Sequence, residues 1–422
     1  MSAIFNFLYQ FVLVSAEKIL PFFSKFNTKI SLFYKGQMAI NERLAAINKF
    51  KIQYPSTPFV WFHCASLGEF EQGRPLIESF RAIYPKHKIV LTFFSPSGYE
   101  IRKNYQAADF VMYLPLDTMK NVKKFVQIIQ PQIAVFVKYE FWPNMIYQLK
   151  NANSTLIGIS VILRPNQIFF KWYGGFLKKS LFSFHHLFVQ NNESQEILNN
   201  KGFKNSTVCG DTRFDRVYDT FLKIAPIEII EKFSLKKTTW VVGSAWPEDM
   251  EVLIPFINNN PDLKFIIAPH EINSDEIEIW CSKINEKSEI FTKIDAKIDI
   301  SESQVLFVDT VGMLSSIYQY ANYAYIGGSF GKGLHNTLEA AVFGPPIFFG
   351  NKSFSKFQEA KDLIQLGIAF PISDSKELQG IFSEFKNNIA LINKCKKSSN
   401  TFIQLNKGAT EKILGYLIKK VE

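Results

Sequence analysis

The chain has 422 residues, 47% hydrophobic and 20% charged, enough for two domains that each bury a core, and its balance excludes a disordered chain. A net charge of +10 points to an anionic partner. Without an RNP-like aromatic pattern, a zinc finger or an arginine-rich arm, that partner is expected to be a phosphorylated ligand or an acidic membrane and not nucleic acid. Four separated cysteines, Cys64, Cys209, Cys281 and Cys395, make no CxxC pair and fit a reducing cytosolic interior. No HExxH or clustered Cys/His spacing is present, so no metal site is expected.

The chain opens on "AIFNFLYQFVLV", residues 3–14, and after Ser15-Ala16-Glu17-Lys18 comes a second apolar patch, "ILPFF". The uninterrupted run is shorter than the ~20 residues that cross a bilayer, and it lacks the basic start and cleavage site of a signal peptide. Lys25, Lys29 and Lys35 follow among aromatics, the pattern of a helix at the cytoplasmic membrane face. Its removal, residues 1–20, is expected to weaken membrane partition and spare the fold.

Short apolar runs then alternate with helical patterns, the signature of α/β architecture with parallel sheets. "FVWFHCA", "KIVLTFF", "FVMYLPL", "IAVFVKYE", "TLIGISV" and "HLFVQN" read as strands of a first series. "TTWVVGSAW", "LKFIIAP", "QVLFVDT", "YAYIGGS" and "PPIFFG" read as strands of a second. Residues 216–236 sit between them as the expected linker. The expected parts are a membrane-associated segment 1–35, a Rossmann-like domain 36–220, a second 221–405 and a C-terminal helix 406–422. The two domains are expected to face across a cleft, with ligands beyond the carboxyl ends of the strands.

Within the first series, "HCASLGEFEQG" places Glu69 and Glu71 where a strand turns into a helix. Ser66 and Glu69 have capping-box spacing, in which each side chain satisfies a backbone N–H. Glu69 is therefore either a cap or a working carboxylate, and Glu71 a solvated first-turn acid. Glu140 in "IAVFVKYEFWPN" is another carboxylate at a strand end. "GDTRFDR" gathers Arg213, Asp215 and Arg216 beside the linker. In the second series, "YIGGSFGKGLHNTLEAAVFGPPIFFG" reads as a strand, a glycine-containing loop and a helix starting near Asn336 or Thr337, whose N–H groups suit a phosphate. Glu339, one turn in, suits ribose hydroxyls. "VDTVGML" offers a second helix start at Gly312. The glycines at 327, 328, 331 and 333 fit neither a Walker A loop nor GxGxxG.

"SLGEFEQGRPLIESFRAIYP", "TFFSPSGYE", "YLPLD", "YEFWPN", "GDTRFD", "VDTVGMLSSIYQYANYAYIGGSF" and "HNTLEAAVFGPPIFFG" occur in this order. Together they resemble the 3-deoxy-D-manno-octulosonic acid (Kdo) transferases of lipid A assembly, over nearly the whole chain. The resemblance implies a GT-B glycosyltransferase fold with an N-terminal membrane-associated helix at the cytoplasmic face of the inner membrane. It implies CMP-Kdo as donor, a lipid A precursor as acceptor, inversion, and no metal or other cofactor. By the same resemblance Glu69 is the general base and Glu140 a second active-site carboxylate. Donor contacts fall on Arg213, Ser244, His270, Gly312, Ser329, Asn336 and Glu339, and acceptor contacts on Ser66, Gly68 and Arg164. The chain departs from the family at "APHEI", which keeps His270 without a preceding arginine, and at "ILRPNQ", which keeps only Arg164. A UDP-sugar-dependent lipid-linked transferase and a non-catalytic nucleotide-binding membrane protein are the alternative readings.

Overall fold

The computed structural model describes residues 2–235, 237–294 and 299–421. Two compact units divide the chain, one formed by Met1–Asp215 with Lys407–Glu422 and the other by Arg216–Asn406. In the first, β1 (Phe59–Cys64), β2 (Lys88–Phe93), β3 (Phe110–Tyr113), β4 (Ile133–Val137), β5 (Thr155–Val161), β6 (His186–Val189) and β7 (Ser206–Val208) form one parallel sheet. Its order is β3-β2-β1-β4-β5-β6-β7. Helices cover both faces, so strands such as β1 and β4 are buried along their whole length and read as continuous apolar runs. Trp61 packs edge-on against Phe125 and Phe136 at the centre of one core layer.

Two N-terminal helices, α1 (Ser2–Phe23) and α2 (Thr28–Gln53), precede the sheet. Ile40, Leu44 and Ile47 of α2 are buried, and Gly36 lies so near Tyr113 that a Cβ there would meet the ring at 2.1 Å. The segment 1–35 is thus no independent appendage but belongs to the first unit. Polar contacts fasten α1 as well. Tyr9 donates to Asp117 Oδ2 at 2.8 Å, Gln10 to Asn144 Oδ1 at 2.7 Å, and Asn121 to Glu17 Oε1 at 2.9 Å. Its other face leaves Phe7, Phe11, Phe22 and Phe23 exposed. Among the described residues no single helix is long and apolar enough to cross a membrane. The pair Phe5–Phe23 and Thr28–Gln53, bent by 118°, passes that test only together.

In the second unit, β8 (Thr239–Ala245), β9 (Lys264–Pro269), β10 (Ser288–Ile290), β11 (Val305–Phe307), β12 (Tyr323–Ile326), β13 (Ile347–Gly350) and β14 (Ala369–Ile372) form the other parallel sheet. Its order is β10-β11-β9-β8-β12-β13-β14, built around Trp240 stacked on Tyr323. Three strands that the apolar pattern does not reveal, β7, β10 and β14, are only partly buried and so lack the continuous apolar run by which the other strands, some equally short, are read. Residues 216–236 are not an open linker, because helices Thr212–Leu222 and Glu228–Ser234 occupy most of them. The boundary falls after Asp215, five residues before the expected 220. The C-terminal helix Ala409–Val421 returns to the first unit, where Ala409, Ile413 and Leu417 enter its core. Asp215 fixes that return by accepting from the backbone N–H groups of Gly408 and Thr410.

Candidate functional site

Strand order reverses between β1 and β4 in the first sheet and between β8 and β12 in the second, and such switch points open crevices at the carboxyl ends of the strands. At the first, β1 passes through Ala65 to Ser66, whose extended backbone (φ −139°) starts helix α3 (Leu67–Ile83). The capping box does not form. Ser66 occupies the N-cap, but its hydroxyl donates to Glu69 Oε2 and not to the backbone's service. Glu69 Oε1 accepts from Lys138 Nζ at 2.6 Å. The Glu69 side chain is 15% exposed, which leaves the carboxylate reachable from solvent.

Lys138 follows β4 with φ +64°, a left-handed backbone that costs a non-glycine residue about 1 kcal/mol. Its N–H donates to Ile159 O at 2.8 Å, which helps hold that turn and aims the ammonium at Glu69. Burial by itself would raise the Glu69 pKa. The Lys138 ammonium and the Ser66 hydroxyl outweigh it and hold the carboxylate below its ordinary range. Glu140, two residues on, goes the other way. Burial and the Glu69 charge push it up to about 7. The two carboxyls are thus driven apart, Glu69 toward the anion and Glu140 toward the neutral acid.

At the second switch point, the buried Asp249 accepts from Trp246 N at 3.0 Å, Gly328 N at 2.8 Å and Tyr325 Oη at 2.9 Å. It ties the end of β8 to the loop after β12. Ser244 there has φ +55° and Gly328 φ +92°. A Cβ on Gly327 would fall 2.1 Å from Ser244 O and 2.7 Å from Asp249 Oδ2. Gly327→Ala is therefore expected to destabilise the protein by about 1–3 kcal/mol through overpacking, read as a lower thermal midpoint.

Beside this loop His270 stacks on Trp246, with ring centroids 4.3 Å apart, and lies 4.4 Å from His335. Trp246 Nε1 donates to His335 Nε2 at 3.1 Å, so that nitrogen is unprotonated. Burial and the neighbouring His270 bring His335 down to about 4. Lys332 Nζ lies 5.6 Å from the Trp246 ring centre.

Farther along, Glu339 accepts from Ser315 Oγ at 2.7 Å and Asn336 Nδ2 at 3.0 Å. Arg216 lines one small cleft with Ser315 and Glu339.

Several sequence expectations change. The helices expected near Asn336 and Gly312 are single turns, Leu338–Ala341 and Leu314–Ile317. Aligned peptide dipoles are few in one turn, and Asn336 Oδ1 already accepts from Leu338 N at 3.1 Å, so neither is the phosphate-accepting helix start foreseen. Gly312 itself has φ +93°. Arg213 belongs to the first unit, where its Nε donates to the buried Asp211 at 2.9 Å. In the second unit Arg216 stands beside Glu339. Ser329 is fully buried, and Asp215 caps the C-terminal helix. Gly68 has only Ser66 Oγ, at 3.8 Å, within reach of a Cβ, and Arg164 is exposed on the loop after β5. Glu71 is not a solvated acid but pairs with Arg102 at 3.0 Å. Lys138, Trp246, Asp249 and His335 were not singled out in the sequence. A tryptophan directly after a strand was the available signal, for Trp246. Among the described residues no three His, Cys, Asp or Glu side chains converge as a ligand set, and the four cysteines are free.

Residues 38–216 match the family model described as 3-deoxy-D-manno-octulosonic-acid transferase (kdotransferase). A 3-deoxy-D-manno-octulosonic acid transferase of Rickettsia bellii is 25% identical over 374 residues, 85% of this chain and 87% of its own length. The enzyme of that name from Chlamydophila psittaci is 27% identical over 339 residues, 75% of each chain. Among solved structures, UDP-GlcNAc 2-epimerase from Neisseria meningitidis superposes with a TM-score of 0.58 over 86% of this chain and all of its own, at 15% identity. That likeness speaks to the fold alone, the paired Rossmann-like domains of the GT-B glycosyltransferases.

Proposed function

Because the chain belongs to the Kdo transferase family of glycosyltransferases, we propose that it moves Kdo from CMP-Kdo to a lipid A precursor with inversion, Glu69 acting as general base. The observation that carries this is the Glu69 carboxylate, held ionised by Lys138 and Ser66 at the switch point of the first sheet. An ionised carboxylate can take a proton from an acceptor hydroxyl as the oxygen attacks the anomeric carbon, and such assistance is worth about 10²–10⁴-fold. The ion pair has a cost, since a more acidic carboxyl is a weaker base, and its gain is that the base form is fully populated at neutral pH. Glu140, poised near neutrality, then tunes the charge felt by Glu69.

The donor is assigned to the second unit. The Trp246–His270 stack offers a flat face to a base, and Arg216 and Lys332 supply positive charge for the departing CMP. Ser244, Ser329, Asn336 and Glu339 remain donor-side proposals, and Arg213, with Ser66, Gly68 and Arg164 on the acceptor side, is proposed on family resemblance. The reaction so written calls for no metal. The exposed aromatic face of α1, with Lys25 and Lys29 beyond it, is proposed to rest on the cytoplasmic face of the inner membrane, beside a phosphorylated lipid.

The test is to incubate the protein with CMP-Kdo and a lipid A precursor and weigh the lipid product. A mass gain of one or more Kdo units is expected, with UDP-sugars inert. Transfer from a UDP-sugar and none from CMP-Kdo would overturn the reading.

A further inference from the structure

We infer that His63 is a positioning residue for Glu140, fixed in one tautomer by a buried hydrogen-bond chain from Trp61 and Thr92 so that its Nε2–H is directed at the Glu140 carboxyl. The inference rests on Glu140 belonging to the active centre proposed above. Trp61 and His63 alternate along β1 and so lie on one face of the sheet, and Thr92 is the register partner of His63 on β2. Trp61 Nε1, which can only donate, gives its hydrogen to Thr92 Oγ1 at 2.8 Å. The Thr92 oxygen can accept more than one hydrogen, but its own buried hydrogen also needs an acceptor, and we place it on His63 Nδ1, 2.9 Å away. With Nδ1 accepting, the ring proton of neutral His63 sits on Nε2.

That nitrogen is fully buried and has no hydrogen-bond partner among the described residues. The nearby group of matching chemistry is Glu140 Oε2, at 4.0 Å. This separation exceeds a hydrogen bond, and catalytic contacts of that kind are often long before substrate binds and tighten afterwards. Glu140 is faced by Glu69 from α3, the Cys64 thiol and His63 from β1, and the Trp142 indole and Lys138 from its own turn, these last two favouring its ionised form. Burial brings His63 down to about 3, so across the working range it faces Glu140 as a neutral donor and not as a cation. An N–H turned toward a carboxylate favours its ionised form, and at 4.0 Å the His63 Nε2–H acts on Glu140 as a dipole and not through a hydrogen bond, opposing what burial and Glu69 do to it.

The Glu140 carboxyl is to be titrated by 13C NMR in the full-length protein, with Glu140→Gln identifying its resonance. His63→Met, which keeps bulk and loses the donor, is expected to move the Glu140 midpoint upward, by well under one pH unit in the substrate-free protein because the contact stands at 4.0 Å. His63→Gln, whose amide returns an N–H at similar depth, is expected to restore it. Thr92→Val, the second variant should His63→Met fail to fold, is expected to give the same upward move and to mix the two His63 tautomers in 15N spectra. Equal midpoints in His63→Met and His63→Gln, or an Nδ1–H tautomer in the parent protein, would overturn the inference. None of these readings needs turnover, so a failure to transfer Kdo would sink the proposed function and leave the His63 result to be judged separately.

Discussion

Glu69→Gln is expected to lower kcat by about 10²–10⁴-fold while leaving CMP-Kdo affinity and the thermal midpoint close to those of the parent. The amide is isosteric and its oxygen still accepts from the Ser66 hydroxyl, so local shape is kept. Lys138 loses its charged partner, yet at 27% exposure it can be rehydrated, which keeps the stability cost near that of a surface pair, below about 1 kcal/mol. A helix-capping role would give the opposite signature, a lowered midpoint with modest loss of rate. Lys138→Met separates the two further. Without the ammonium, burial is opposed by the Ser66 hydroxyl with no full charge beside it, so the Glu69 pKa rises and the acid limb of the rate profile moves to higher pH. Steady-state kinetics across pH 5–9 with equilibrium binding of CMP-Kdo decides it. A Glu69→Gln enzyme that binds donor and turns over normally would remove the general base from the scheme.

The sequence made the scaffold legible where strands are long and buried on both faces. β1, β4, β8 and β9 are apolar runs that end in a turn, and each was visible. The position of Glu69 beyond β1 could be read for the same reason, because a strand followed by a helix puts the first helical residues at the carboxyl edge. What surrounds Glu69 could not be read. Lys138 is 69 residues away in the chain and reaches the carboxylate only because β4 pairs with β1 and its turn is left-handed, neither of which leaves a local pattern. Asp249 illustrates the same limit. In sequence it is an ordinary first-turn acid of helix Pro247–Asn258, and its bonds to Gly328 and Tyr325 follow from β8 lying beside β12. Short-range spacing misled at Ser66, where a capping-box pattern describes two side chains that bind each other.

Asp117 is where the second large effect is expected, because it joins α1 to the turn region of Glu140. The side chain is 1% exposed and accepts from Tyr9 Oη, Asn144 N at 3.0 Å and Met145 N at 2.9 Å. The last two belong to the helix Pro143–Asn151, which starts three residues after Glu140. Burial outweighs these donors and pushes Asp117 up to about 7 from an ordinary 3.8. The folded state therefore holds this proton more tightly than the unfolded chain does. Its contribution to stability is complete below about pH 4 and is lost as pH rises through 7, a swing of roughly 4 kcal/mol. Asp117→Asn cannot titrate, and its NH2 faces at least one N–H donor, so it should be less stable than the parent at pH 5. By pH 8 the deficit should shrink or reverse, since only the parent must then bury an anion. Thermal midpoints of both proteins across pH 5–8 test this, and parallel curves would refute it. Deleting residues 2–23 also removes the Tyr9, Gln10 and Glu17 contacts, so the truncated protein should lose stability as well as membrane partition. The earlier expectation that the fold is spared gives way because α1 meets a buried titratable group, and a loss of partition with an unchanged midpoint would show that Asp117 finds its partners without it.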